Sequence, residues 1–132
     1  GLAITASRRT GERNKARLCS ELDDQSPWFW DGQGENPYLG LLALAEAIVV
    51  TADSVSMVSE SCSTGKPVYV AALEGGSDKF GQFHAHLKDC GMTRVFDGTL
   101  CSWTYDPLRD TELVADEVKG RYAAFASTSG AP

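Results

Sequence analysis

AEAIVVTADSVSMVSESCSTGKPVYV, residues 45–70, is the stretch on which the fold turns. Ala47 to Thr51 is a continuous apolar run of the kind that forms a strand buried on both faces of a parallel sheet. Ala52 and Asp53 end it. A short helix is predicted from Ser54 or Val55 to Thr64, and Gly65 stands where a left-handed helix terminus is usually placed. Pro67 then opens a second apolar strand, Val68 to Ala72.

On the amino-terminal side, Leu2 to Ala6 reads as a short buried strand that runs into the polar cluster Ser7, Arg8, Arg9 and Thr10. Helical spacing follows from Glu12 to Leu22, then an aromatic strand from Trp28 to Trp30 and a turn-rich loop from Asp31 to Glu35. A helix starts near Pro37 and ends about Ala45. On the carboxyl side, Ser77 to Cys90 is expected to be helical and to end at Gly91. Arg94 to Phe96 reads as a strand, Asp110 to Phe125 as a closing amphipathic helix, and Ser127 to Pro132 as a frayed tail. Strands that alternate with short helices predict an α/β layer with a mostly parallel sheet. Ligands in such sheets sit beyond the carboxyl ends of the strands, so the loops after Ala6, Thr51 and Ala72 are expected to converge on one crevice.

Composition narrows the function classes. At 132 residues, with 42% hydrophobic and 23% charged content, the chain suits one globular domain. No run approaches the ~18 to 20 apolar residues of a membrane span, and no secretory segment opens the chain. A reduced, cytoplasmic location is expected, peripheral to a membrane at most. The chain lacks an initiator Met and opens directly on a strand-like stretch, which is read as a domain excised from a longer polypeptide. The net charge of -6 argues against nucleic-acid binding, which needs clustered Lys and Arg. Residues 1–20 nevertheless carry Arg8, Arg9, Arg13, Lys15 and Arg17 against Glu12 alone, leaving room for a local anion site or for a solvated basic face. Cys19, Cys62, Cys90 and Cys101 form no CxxC pair, so reduced buried thiols are expected rather than a metal site.

Three segments are candidates for chemistry. Ser7-Arg8-Arg9-Thr10 joins a strand to a helix, where free N–H groups and the helix dipole favour a phosphate; the bland alternative is a basic turn that caps the helix. Asp53 to Glu60 repeats that arrangement with small hydroxyl residues, Ser54, Ser56 and Ser59, that let a diphosphate approach the backbone. The Glu60 carboxylate can accept both hydroxyls of a ribose, or it is simply an exposed helix residue while Asp53 or Ser54 caps the helix. Glu74 to Phe80 holds two glycines and Lys79, a flexible loop or an anion contact. His84 and His86 point to different helix faces, which disfavours a shared metal; His84 alone is a candidate for the crevice. Gly65-Lys66-Pro67 is not a Walker loop, Gly32-Gln33-Gly34 lacks the third dinucleotide-binding glycine, and no Asp-x-Asp pair is present, so any sugar-nucleotide site is expected to need no metal.

The Ala45–Val70 stretch resembles the nucleotide-binding segment of GT-B glycosyltransferases, in which a strand, a Ser/Gly-rich turn, a helix with a Glu and a Gly-x-Pro precede the next strand. More closely, ITASRRT, NPYLGLLALAEAIVVTADSVSMVSES, TGKPVYV, SDKFGQFH and Trp103 to Thr111 resemble the mitochondrial-fission ELM-type family, over nearly the whole chain to about Ala126. The resemblance implies a three-layer Rossmann-like domain over residues 1–126, the carboxyl-terminal half of a GT-B-like protein, with residues 127–132 a flexible tail. It implies a nucleotide sugar as substrate, no cofactor, and an amino-terminal acceptor domain as partner. Glu60 would hold the ribose, Ser56 and Ser59 would lie near it or the phosphates, Ser7 to Thr10 would face the diphosphate, and Lys79, Phe80 and His84 would approach the sugar. The turn departs from the GT-B pattern, with Asp53 and Ser54 where glycine is common. Bacterial members of the family are often labelled epimerases, but the dinucleotide fingerprint and a Tyr-x-x-x-Lys pair are absent. Two functions follow: the donor-binding half of a metal-independent glycosyltransferase, inactive in isolation, or a non-catalytic adaptor like the eukaryotic members, which recruit a dynamin-related protein in fission.

Overall fold

The computed structural model of the chain describes residues 1–7, 10–73 and 80–129. The chain divides into two compact units, residues 1–45 and 46–132. In the first unit β1 (Ala3–Thr5) pairs in parallel with β2 (Trp28–Trp30), in the register Ala3 to Trp28 and Thr5 to Trp30. The connection between them carries α1 (Gly11–Glu21) and a single 3-10 turn, and α2 (Tyr38–Leu44) follows. Among the described residues, Leu42 is the buried apolar residue of this unit.

The second unit holds a three-stranded parallel sheet in the order β3 (Ile48–Thr51), β4 (Val68–Ala71), β5 (Thr93–Val95). Each crossover carries a helix, α3 (Val55–Cys62) and α4 (Gly81–Asp89). Side chains alternate along a strand, so Val50 and Val68 meet α3 and α4 on one face, in a core with Val58, Cys62 and Leu87. On the other face, the Tyr69 ring lies edge-on to Trp103 at 5.1 Å and to Phe96 at 5.9 Å. The guanidinium of Arg94, next to Tyr69 in the register, stacks 4.2 Å from the centre of the Trp103 ring. Residues 101–103 thus cover this face, and the chain then runs to Leu108, which packs against the core on the other face. Cys101 N–H donates to Tyr69 Oη at 2.5 Å, Tyr105 Oη donates to the Lys66 carbonyl at 2.6 Å, and Leu108 N–H donates to the Cys62 carbonyl at 3.1 Å.

The α/β class, the parallel strands and the alternation of strands and helices agree with the Rossmann-like expectation. The helix expected over Ser77 to Cys90 is seen from Gly81, its first residues lying outside the described part of the chain. Three expectations are corrected. The last helix, α5 (Asp110–Ser129), runs to Ser129, past the predicted end at Phe125, and Ser127 Oγ and Thr128 Oγ1 donate to the carbonyls of Ala123 and Ala124; residues 130–132 of the expected tail lie outside the described residues. It also does not close on the core: Val114, Val118, Tyr122 and Phe125 are 59% to 71% exposed. Of the four free thiols only Cys62, on the face of α3 that packs against the sheet, is buried; Cys19, Cys90 and Cys101 are exposed.

Candidate functional site

The turn between β3 and α3 is built by its hydrogen bonds. Ala52 N–H donates to the Ala71 carbonyl at 2.9 Å and extends the β3–β4 ladder by one residue. Ser54 N–H then donates to the Thr51 carbonyl at 3.1 Å, and Val58 N–H to the Ser54 carbonyl at 3.0 Å, which turns the chain and starts α3. Because Thr51 pairs with Ala71, β3 and β4 end level, and the loops after both leave the same edge of the sheet. Ligands of parallel α/β sheets bind at such an edge.

Helical periodicity then sorts the serines. Ser54, Val58, Ser61 and Cys62 are buried, at spacings of four, three and one that define one face of α3 against the sheet. Ser54 therefore faces the core, although its side chain makes no capping hydrogen bond to the helix. Ser56 and Glu60 are both exposed and stand one turn apart on the opposite face, with Ser59 half-buried beside them. The helix ends where Ser63 Oγ donates back to the Ser59 carbonyl at 3.0 Å, and Gly65 reverses the chain at φ +71°. A side chain at Gly65 would be strained in that left-handed conformation, and its Cβ would meet Pro107 Cγ at 3.1 Å.

His84 lies on α4, one turn after the half-buried Phe80. Its Nε2 donates to the Ala52 carbonyl at 2.8 Å, at the base of the β3–α3 turn. His86, two residues on, is exposed with its ring 3.8 Å from Cys90 Sγ, so the two histidines face apart. A hollow of about 210 Å³ opens beside the His84 contact, lined by Ala52, Val70, Ala72 and His84 among others. Another of about 450 Å³ lies between Met92 and the start of α5, lined by His86, Asp106, Asp110 and Asp116 among others. Neither is lined by Ser56, Ser59 or Glu60. Among the described residues no group of three or more His, Cys, Asp or Glu is placed to hold a metal ion, and no helix is long and apolar enough to cross a membrane.

The basic cluster belongs to the first unit, so it is described separately. Thr10 N–H donates to the Ser7 carbonyl at 3.1 Å, and their hydroxyls stand 3.4 Å apart at the entry to α1. Arg8, Arg9 and Lys79 lie outside the described residues. The structure thus brings Ser56, Ser59 and Glu60 together on α3 and sets His84 under their turn, while Ser54 turns inward. Sequence reasoning missed the partner of His84, a backbone carbonyl 32 residues away that has no side-chain signature.

Parallel strands, helical crossovers and a hydroxyl-rich turn at the carboxyl edge define a Rossmann-like α/β protein. The family described as Mitochondrial fission ELM1 matches residues 1–122, and the chain belongs to it. An Arabidopsis thaliana protein named Mitochondrial fission protein ELM1 is 42% identical over 125 residues, which cover 92% of this chain and 29% of that protein. An uncharacterized protein of Rickettsia prowazekii is 32% identical over 126 residues, covering 88% of this chain and 35% of its own length. The chain therefore spans about a third of the length of these relatives. No solved structure matches it.

Proposed function

We propose that the chain is the donor-binding part of a GT-B-like glycosyltransferase, and that the β3–α3 segment receives the ribose and diphosphate of a nucleotide sugar. The observation that carries this is the exposed pair Ser56 and Glu60 on the first two turns of a helix that starts at the carboxyl end of a parallel strand. The amino-terminal end of a helix favours phosphate through its dipole and N–H groups, and here the Ser54 side chain does not cap it. Glu60, one turn further along, presents a carboxylate to accept paired ribose hydroxyls. Ser7 to Thr10, in the first unit, are the other candidate for a phosphate, and Lys79 and Phe80 are the candidates for the sugar. Chemistry in such a site is mainly orientation and stabilisation of the departing diphosphate; the acceptor base belongs to the additional polypeptide that the longer relatives carry.

Titration with UDP-, GDP- and CMP-type nucleotides, followed by backbone amide shifts, tests this. Shifts confined to residues 7–10 and 53–60 are expected, and Glu60→Gln is expected to weaken binding about tenfold, the worth of a charged hydrogen bond. No shift at millimolar nucleotide would overturn the reading. A second reading is an interaction module in mitochondrial fission. The 42% identity to a protein bearing that name favours it, as do the exposed apolar side chains of α5, which suit a protein partner.

A further inference from the structure

We propose that His84 is a positioning residue that holds the β3–α3 turn in place from α4, rather than a group that touches the sugar or moves protons. This role deepens the donor-binding reading and rests on it for its functional consequence. Its structural basis is separate.

A carbonyl oxygen can only accept, so the 2.8 Å contact with Ala52 requires that Nε2 of His84 carry the proton and donate. In the neutral ring Nδ1 is then a bare acceptor. It is buried and has no hydrogen-bond partner among the described residues, so the Ala52 carbonyl is the ring's one polar anchor there. A ring flip would break that bond. The ring's donor is thus committed to backbone.

Ala52 is the first residue beyond β3, two residues before Ser54. Its N–H is held by β4 through the Ala71 carbonyl and its C=O by α4 through His84. One residue's donor and acceptor are thereby fixed by two different elements, immediately before the chain turns into α3. Displacement of that carbonyl would tilt the following peptides, and with them Ser54 and the first turn that carries Ser56. The His84 ring thus makes the geometry of the turn depend on the seating of α4.

Hydrogen exchange on the 132-residue chain tests the structural part. His84→Ala is expected to speed exchange of the Ser54 and Val58 amides, which are bonded to the Thr51 and Ser54 carbonyls, about tenfold, the usual net worth of one hydrogen bond, while the Val50 and Val70 amides of the sheet keep their rates. His84→Gln, whose side-chain N–H₂ can reach the same carbonyl, should restore slow exchange. Unchanged rates at Ser54 and Val58 in the alanine variant, or equal acceleration throughout the sheet, would overturn the positioning role. Nucleotide affinity supplies the functional arm: His84→Ala should weaken binding about tenfold and His84→Gln recover most of it. Wild-type binding with no loss in His84→Ala would overturn the proposal and leave the donor-binding reading standing. No binding by wild type, with the exchange effect present, would overturn that reading and leave the clamp standing.

Discussion

The Cys62 thiol is enclosed by the α3, α4 and sheet side chains of the core, with no exposed surface, and burial pushes its pKa from the ordinary 9.0 up to about 11. The folded state therefore keeps a proton that the unfolded chain releases. A raised folded-state pKa contributes stability that is complete below pH 9 and is lost as pH rises through about 11. Stability to urea is thus expected to fall between pH 9 and 11, with a component absent from Cys62→Ala. A flat difference between the two proteins across that window would refute the assignment. Little of this is legible in the sequence, where Cys19, Cys62, Cys90 and Cys101 look alike. Serine shows the same limit: Ser54, Ser56 and Ser59 are equal candidates along the chain, until the helix phase turns Ser54 inward and leaves Ser56 outside.

At the scale of elements, the identity of a strand is readable from an apolar run such as AIVVT, but its place is not: β3 is an edge strand, and Val49 is 47% exposed where burial on both faces is expected. Helix ends are readable at Gly65 and Gly91, whose φ values of +71° and +73° suit glycine. How strongly each helix is held is not readable. Leu87 of α4 is 2% exposed in the core, whereas Phe125 of α5 is 66% exposed. Leu87→Ala should therefore cost about 3 kcal/mol of unfolding free energy. Phe125→Ala should cost less than about 0.5 kcal/mol, as other exposed substitutions do. Comparable losses in chemical denaturation would mean that α5 is packed in solution.

At the scale of the whole molecule, the buried cluster lies entirely within residues 46–132, where the sheet, its two crossover helices and the Trp103 strap cover one another. Residues 1–45 offer one buried apolar side chain among those described, Leu42. Chains near or below roughly 40 residues rarely fold unaided. A polypeptide of residues 46–132 is expected to unfold cooperatively with loss of the near-ultraviolet signal of Trp103 and Tyr69, while residues 1–45 alone should show no transition. A cooperative transition in the shorter piece, or none in the longer, would contradict the division.

By itself the sequence determined the class of fold, the order of its elements and the family, because hydrophobic period, turn chemistry and the Ala45–Val70 stretch act locally along the chain. Only the tertiary structure decided which residues of a candidate segment face solvent, which thiol is buried, and that His84 of α4 grips the carbonyl of Ala52. Those outcomes depend on helix phase and on contacts between residues tens of positions apart, and a backbone oxygen leaves no letter in the sequence to announce its partner.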